Sequence, residues 1–109
     1  MSQMLKTAAV NETRLYELVL ELSQKVRVAK GVLETVRLIE RGRAKVVLIA
    51  LNVSPQDHLA IVEALCEEKS VPIIFVSRKE DLGKVAGLEV SASCIALPLP
   101  IPVESNIGR

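Results

Sequence analysis

Leu15, Leu18, Val19 and Leu22 recur at helical spacing and predict an amphipathic helix running to about Ser23. Asn11 suits its N-cap, and Glu12 suits the positive end of the helix dipole. From residue 25 to 29 the period changes: charged and small apolar residues alternate (Lys25, Val26, Arg27, Val28), as in a short strand. Gly31 then breaks the alternation, which makes Lys30-Gly31 a strand-to-helix junction. In the helix that follows, steps of about 100° per residue put Val32, Val36 and Ile39 on one face. Glu34, Arg37 and Arg41 lie on the opposite side, with Leu33 on the border, and Gly42 is placed to cap the end.

Residues 45–51 form a β-branched, apolar run, the signature of a strand covered on both faces and central in a sheet. Ser54-Pro55-Gln56-Asp57 reads as a helix start, with a serine cap, proline in the first turn and an acidic residue placed to reach back. That helix is predicted to continue to about Glu68, with His58 beside its start and partly packed on the core. Residues 71–76 read as another buried strand. Ser77 is placed to cap a short helix over 79–85, which Gly87 ends before the loop Leu88-Glu89-Val90. A last strand is predicted over 93–97. Pro98, Pro100 and Pro102 cannot donate ladder hydrogen bonds, so the chain leaves the sheet there.

Strands alternating with helices imply an α/β fold, a three-layer α/β/α sandwich about a small mixed four-stranded sheet. One domain over 1–109 is expected, with irregular tails at 1–10 and 98–109. Such folds bind ligands at loops beyond strand ends. Here the Lys30-Gly31 junction, the loop before Lys79 and the loop Leu88-Glu89-Val90 are expected to converge at one edge.

Charge distribution sharpens this picture. The 109 residues carry a formal net charge of +1. Between Lys25 and Lys45, however, seven basic residues face only Glu34 and Glu40, a local excess of five. The stretch from Asp57 to Glu68 is acidic by contrast, so one end of the molecule suits a polyanion. Other chemistry is sparse. Cys66 and Cys94 are far apart and belong to no Cys-x-x-Cys or Cys/His cluster, and read as buried, reduced thiols rather than as metal ligands or a disulfide. One histidine, no tryptophan, and one tyrosine and one phenylalanine leave few groups for acid–base catalysis. No Gly-rich phosphate loop or nucleophile–base pair is evident. The expectation is a non-enzyme without cofactors, metal or small-molecule substrate. The longest apolar run spans six residues, 46–51, and the N-terminus lacks the layout of a secretory signal. A soluble intracellular protein without membrane partners is expected.

From about Lys25 to Leu97 the chain resembles the RNA-binding ribosomal protein family typified by archaeal L-seven-Ae. That family includes core proteins of spliceosomal, C/D and H/ACA ribonucleoproteins. The matching pieces are Lys30-Gly31 opening a helix, Glu34 and Arg37 on it, Glu40-Arg41-Gly42 closing it, and Ala44-Lys45-Val46-Val47-Leu48-Ile49-Ala50 as a strand. Leu65-Cys66-Glu67-Glu68-Lys69, Val71-Pro72 and Lys79-Glu80-Asp81-Leu82-Gly83-Lys84 continue the match.

The resemblance implies a protein that grips a kink-turn, an RNA helix bent sharply beside tandem sheared G·A pairs. Lys30 and Gly31 would then approach phosphate, Glu34 would accept from guanine edges, and Arg37 would supply charge. Those roles suit the groups: a carboxylate is a pure acceptor, and free amides at a helix start favour phosphate. Lys79, with Lys84, would add backbone contacts, and Leu88, Glu89 and Val90 would cover an extruded nucleotide. The implied partners are a structured RNA (kink-turn, guide or ribosomal) and other ribonucleoprotein subunits, in the cytoplasm with the ribosome or, in a eukaryote, in the nucleolus.

Kink-turn readers carry Gly-x-Asn-Glu-x-Thr-Lys where this chain has Gly31-Val32-Leu33-Glu34-Thr35-Val36-Arg37. Leu33 lacks the asparagine's hydrogen bonds, and the pattern is similar to that of the H/ACA ribonucleoprotein member. Leu51-Asn52 also replaces the usual acidic pair after the strand. Two other readings stay open. Glu34 and Arg37 alone also fit an i,i+3 surface ion pair, and an exposed Leu33 on a basic rim also fits a protein-interaction module of the same fold.

Overall fold

The computed structural model describes residues 11–101. In chain order these form helix α1 (Glu12–Ser23), strand β1 (Ala29–Lys30), helix α2 (Gly31–Glu40), strand β2 (Val46–Ala50), a 3-10 turn (Pro55–Asp57), helix α3 (Ala60–Lys69), strand β3 (Ile73–Val76), helix α4 (Lys79–Val85) and strand β4 (Cys94–Leu97). The irregular tails expected at 1–10 and beyond 101 lie outside the described residues. The segment 98–101 has no regular structure, yet Ile101 turns back into the core.

The sheet has the order β1-β4-β2-β3. β2 and β3 run parallel, joined by the crossover helix α3, and β4 is antiparallel to both β1 and β2. Alternate residues of β2 face opposite layers. Val46, Leu48 and Ala50 join Leu15 and Val19 of α1, Leu82 of α4 and its C-cap Ala86, while Val47 and Ile49 join Ile39 of α2 and Val62 and Cys66 of α3. Two apolar layers therefore sandwich the sheet, with α1 and α4 on one side and α2 and α3 on the other. All five residues of β2 are buried, as the continuous apolar run predicts for a central strand. Each fully buried Val, Leu or Ile contributes roughly 1.5–3 kcal/mol, against less than about 1 kcal/mol for an exposed ion pair. Stability therefore resides in these layers, leaving the charged face of α2 available for a ligand. Among the described residues no helix is long and apolar enough to cross a membrane.

Four local expectations need correction. The first strand is shorter than predicted: only Ala29 and Lys30 pair with β4, opposite Ala96 and Ile95. Extending that register would set Arg27 against Pro98, which has no N–H, and Gly31 already starts α2. The predicted helix from Ser54 is in fact two pieces. Asp57 Oδ2 accepts the Ser54 N–H at 2.8 Å and closes a single 3-10 turn, and His58 then adopts a left-handed conformation with φ of 56°. That turn leaves His58 exposed and sends Leu59 into the core instead. Ser77 does not cap α4: its Oγ donates to Glu12 Oε2 at 2.7 Å, and its N–H reaches the same oxygen at 3.0 Å. The cap comes from Asn52, whose Oδ1 accepts the Lys79 N–H at 2.7 Å.

Candidate nucleic-acid interface

Strand register gathers the loops. Lys30 stands opposite Ile95, Ile49 opposite Cys94 and Ala50 opposite Val76. The β1–α2 junction, the end of β2, the start of α4 and the loop before β4 therefore share one end of the sheet, as the alternation of strands and helices predicts.

At the β1–α2 junction Gly31 has φ of +84° with open space where a side chain would project. Backbone conformation, not crowding, selects glycine there. Lys30 occupies the N-cap with no side-chain hydrogen bond to the first turn, because an ammonium group is donor-only and cannot accept from helix amides. Its Nζ instead donates to the Val28 carbonyl at 3.2 Å. The amides of the first turn thus lack a side-chain cap, the usual setting for a bound anion.

Glu34 Oε1 accepts the Lys30 N–H at 2.9 Å, and Oε2 lies 3.8 Å from Arg27 Nη2. One oxygen is therefore anchored, while the other has only a long, solvent-exposed pairing that a ligand can replace. The i,i+3 ion pair between Glu34 and Arg37 does not form. Arg37 is exposed, and among the described residues its guanidinium has neither ion pair nor hydrogen bond. Arg27, Ala29, Glu34, Arg37, Leu38 and Arg41 line an open groove of about 230 Å³ beside the edge strand β1. Three guanidiniums around one carboxylate leave that groove with a surplus of two positive charges.

Across the same end, Lys79 is half-buried and pinned by its backbone. Its N–H is held by Asn52, and its carbonyl accepts the Ala92 N–H at 3.0 Å. Lys84 is exposed further along α4. The loop before β4 splits the trio predicted to act together. Leu88 packs on the apolar layer of α1 and α4 and donates its N–H to the Gly83 carbonyl at 2.9 Å, while Glu89 and Val90 face solvent. Gly83 allows this seating, since a side chain there would overlap the Val90 carbonyl and stand 2.9 Å from the Ser91 Cα. Leu33, Leu51 and Val90 are 62%, 64% and 69% exposed, which sets apolar surface beside the charges.

Two participants escape sequence reasoning. Arg27 is visible only as a member of a basic stretch, and nothing in its spacing pairs it with Glu34. The cap by Asn52 bridges 27 residues and leaves no local signature. The remaining reactive side chains are muted. Burial pushes the Cys66 thiol up to about 11, with Cys94 adding to the effect. Burial raises Cys94 too, against the opposing effect of hydrogen bonding with Thr35 and Ser93. Thiols so shifted stay protonated at neutral pH and are poor nucleophiles. Burial also raises the Tyr16 hydroxyl, aided by Glu12, whose Oε1 lies 3.4 Å away.

A mixed four-stranded sheet between two helical layers, with a cationic helix start exposed at one end, defines the class of fold. The family model described as Ribosomal protein L7Ae/L30e/S12e/Gadd45 family matches residues 13–98, and the chain belongs to that family. Its fold is similar to that of the solved structure described as Giardia lamblia 15.5kD RNA binding protein. The TM-score is 0.75, with 23% identity over 89% of this chain and 81% of that one. At this identity the likeness establishes the fold.

Proposed function

We propose that this protein is a non-enzymatic RNA-binding domain of a ribonucleoprotein that holds a kink-turn or a related bent RNA at the Lys30-Gly31 end of its sheet. The observation that carries this reading is the unpartnered Arg37 beside a half-anchored Glu34 at the uncapped start of α2. Arg37, Lys30 and the amides of Gly31 and its neighbours neutralise phosphate, while Oε2 of Glu34, exchanging its long pairing with Arg27, accepts from guanine N–H groups. Lys79 adds charge from across the sheet end, and Val90 covers an unstacked base. Family membership and the RNA-binding description of the Giardia protein support the same assignment. A ribosome or an H/ACA-type guide particle is the setting we favour, and both are intracellular. The Gly31-Val32-Leu33-Glu34 pattern favours the guide particle.

Neutralising about 4 phosphates makes affinity fall roughly 100-fold between 50 and 200 mM salt. Gel-shift titration of a kink-turn RNA at those two concentrations is expected to show that loss, with little binding to an unbent duplex. No binding at low salt, or equal binding to the straight duplex, overturns the proposal.

A second reading, a protein-interaction module, is favoured by exposed Leu33, Leu51 and Val90. Leu33→Asn separates the two. If α2 faces RNA, restoring a polar base-edge contact tightens kink-turn binding about fivefold, or ~1 kcal/mol. If Leu33 serves only a protein contact, RNA affinity stays the same.

A further inference from the structure

We infer that Asn52 is a positioning residue that holds Lys79 and the loop before β4 in place for the RNA. The inference rests on the function proposed above. Asn52 follows immediately after the last rung of the β2–β3 ladder, where the Leu51 N–H donates to the Val76 carbonyl at 2.8 Å, so its backbone starts from a hydrogen-bonded end of the sheet. From there its amide makes two bonds of opposite polarity. Oδ1 accepts the Lys79 N–H at 2.7 Å, and Nδ2 donates to Glu80 Oε1 at 3.0 Å.

Lys79 then passes the constraint onward, because its carbonyl accepts the Ala92 N–H and so ties down the chain just after Val90. One side chain thereby joins three parts of the candidate interface: the end of β2, the start of α4 and the loop carrying Glu89 and Val90. Glu12 pins Ser77, two residues before Lys79, from α1, so rotation of this corner is opposed from two sides.

The neutral amide matters as well as the bond. A carboxylate at position 52 would accept from Lys79 equally well, but it would repel Glu80 and add negative charge beside the phosphate path. With Asn52 in place, one Glu80 oxygen is occupied by Nδ2 and lies 3.7 Å from Arg78 Nη2. That hydrogen bond is also the main reason the Glu80 carboxyl titrates below its usual range.

Two measurements on the full chain test the inference. The first is amide hydrogen exchange without RNA. Asn52→Ala is expected to speed exchange at Lys79 and Ala92 about tenfold, while Asn52→Asp leaves the Lys79 amide protected. The second is a double-mutant cycle of kink-turn RNA affinity. Lys79→Ala is expected to weaken binding about fivefold in the native and Asn52→Asp backgrounds, and less than twofold in Asn52→Ala.

Asn52 is exposed and contributes nothing to the apolar layers, so these variants keep the core. Unchanged exchange, or a Lys79→Ala effect equal in all three backgrounds, overturns the positioning role. Faster exchange in Asn52→Ala with no effect of Lys79→Ala in any background leaves the corner pinned as described, and overturns instead the placement of RNA against Lys79.

Discussion

Arg37→Glu is expected to weaken binding to every RNA by about 30-fold at physiological salt, or ~2 kcal/mol. The substitution removes one phosphate contact and adds a like charge in its place, so the dependence of affinity on salt also becomes shallower. Stability should hardly change. Arg37 is exposed and has no ion pair or side-chain hydrogen bond among the described residues, and surface substitutions of that kind stay within about 0.5 kcal/mol. This makes Arg37 a cleaner probe than Glu34, whose loss would also free the Lys30 N–H. Gel shifts beside a thermal melt check the pair of expectations. An unchanged affinity with an unchanged melt would mean that α2 does not face the ligand.

The second large effect concerns the fold. Gly83→Ala places a Cβ against the Val90 carbonyl and close to Ser91 and Ala92, all backbone atoms that cannot rotate aside. Either α4 or the loop before β4 must move, breaking the bonds from Leu88 N–H to Gly83 and from Ala92 N–H to Lys79. Overpacking of this kind costs about 2–3 kcal/mol. For a chain of this size that is a fall of roughly 10 °C or more in melting temperature. Calorimetry measures it directly, and a melt within about 2 °C of the native protein would show that the loop is not seated on α4 as described.

The parts of this molecule legible in its sequence are those where one local rule dominates. The run from Val46 to Ala50 is apolar at every position, short and rich in β-branched residues, which suits a strand covered on both faces. Val32, Val36 and Ile39 against Glu34, Arg37 and Arg41 state which side of α2 is buried, and the structure agrees. What the sequence hides is settled by distant partners or by single residues. The length of β1 depends on Pro98, just past the end of β4. The helix start at Ser54 forms as read, but it stops after one turn because a single residue, His58, turns left-handed. Ser77 has the right chemistry for a cap but spends it on Glu12, 65 residues away, leaving the task to Asn52. Leu88 and Val90 look equivalent in a loop of three, and only the packing of α1 and α4 decides that one turns in and the other out. For the site, residue types and their common end of the sheet were readable, whereas the groove of Arg27, Glu34, Arg37 and Arg41 needed coordinates.

Amide chemical-shift mapping during titration with a kink-turn RNA tests whether the start of α2 and its neighbours at the same sheet end receive a bent RNA. The largest shifts are expected at residues 30–37, at Lys79 and at Glu89 and Val90, with α3 (Ala60–Lys69) almost silent. Shifts centred on α3, or none at RNA concentrations well above the protein's, would contradict that placement.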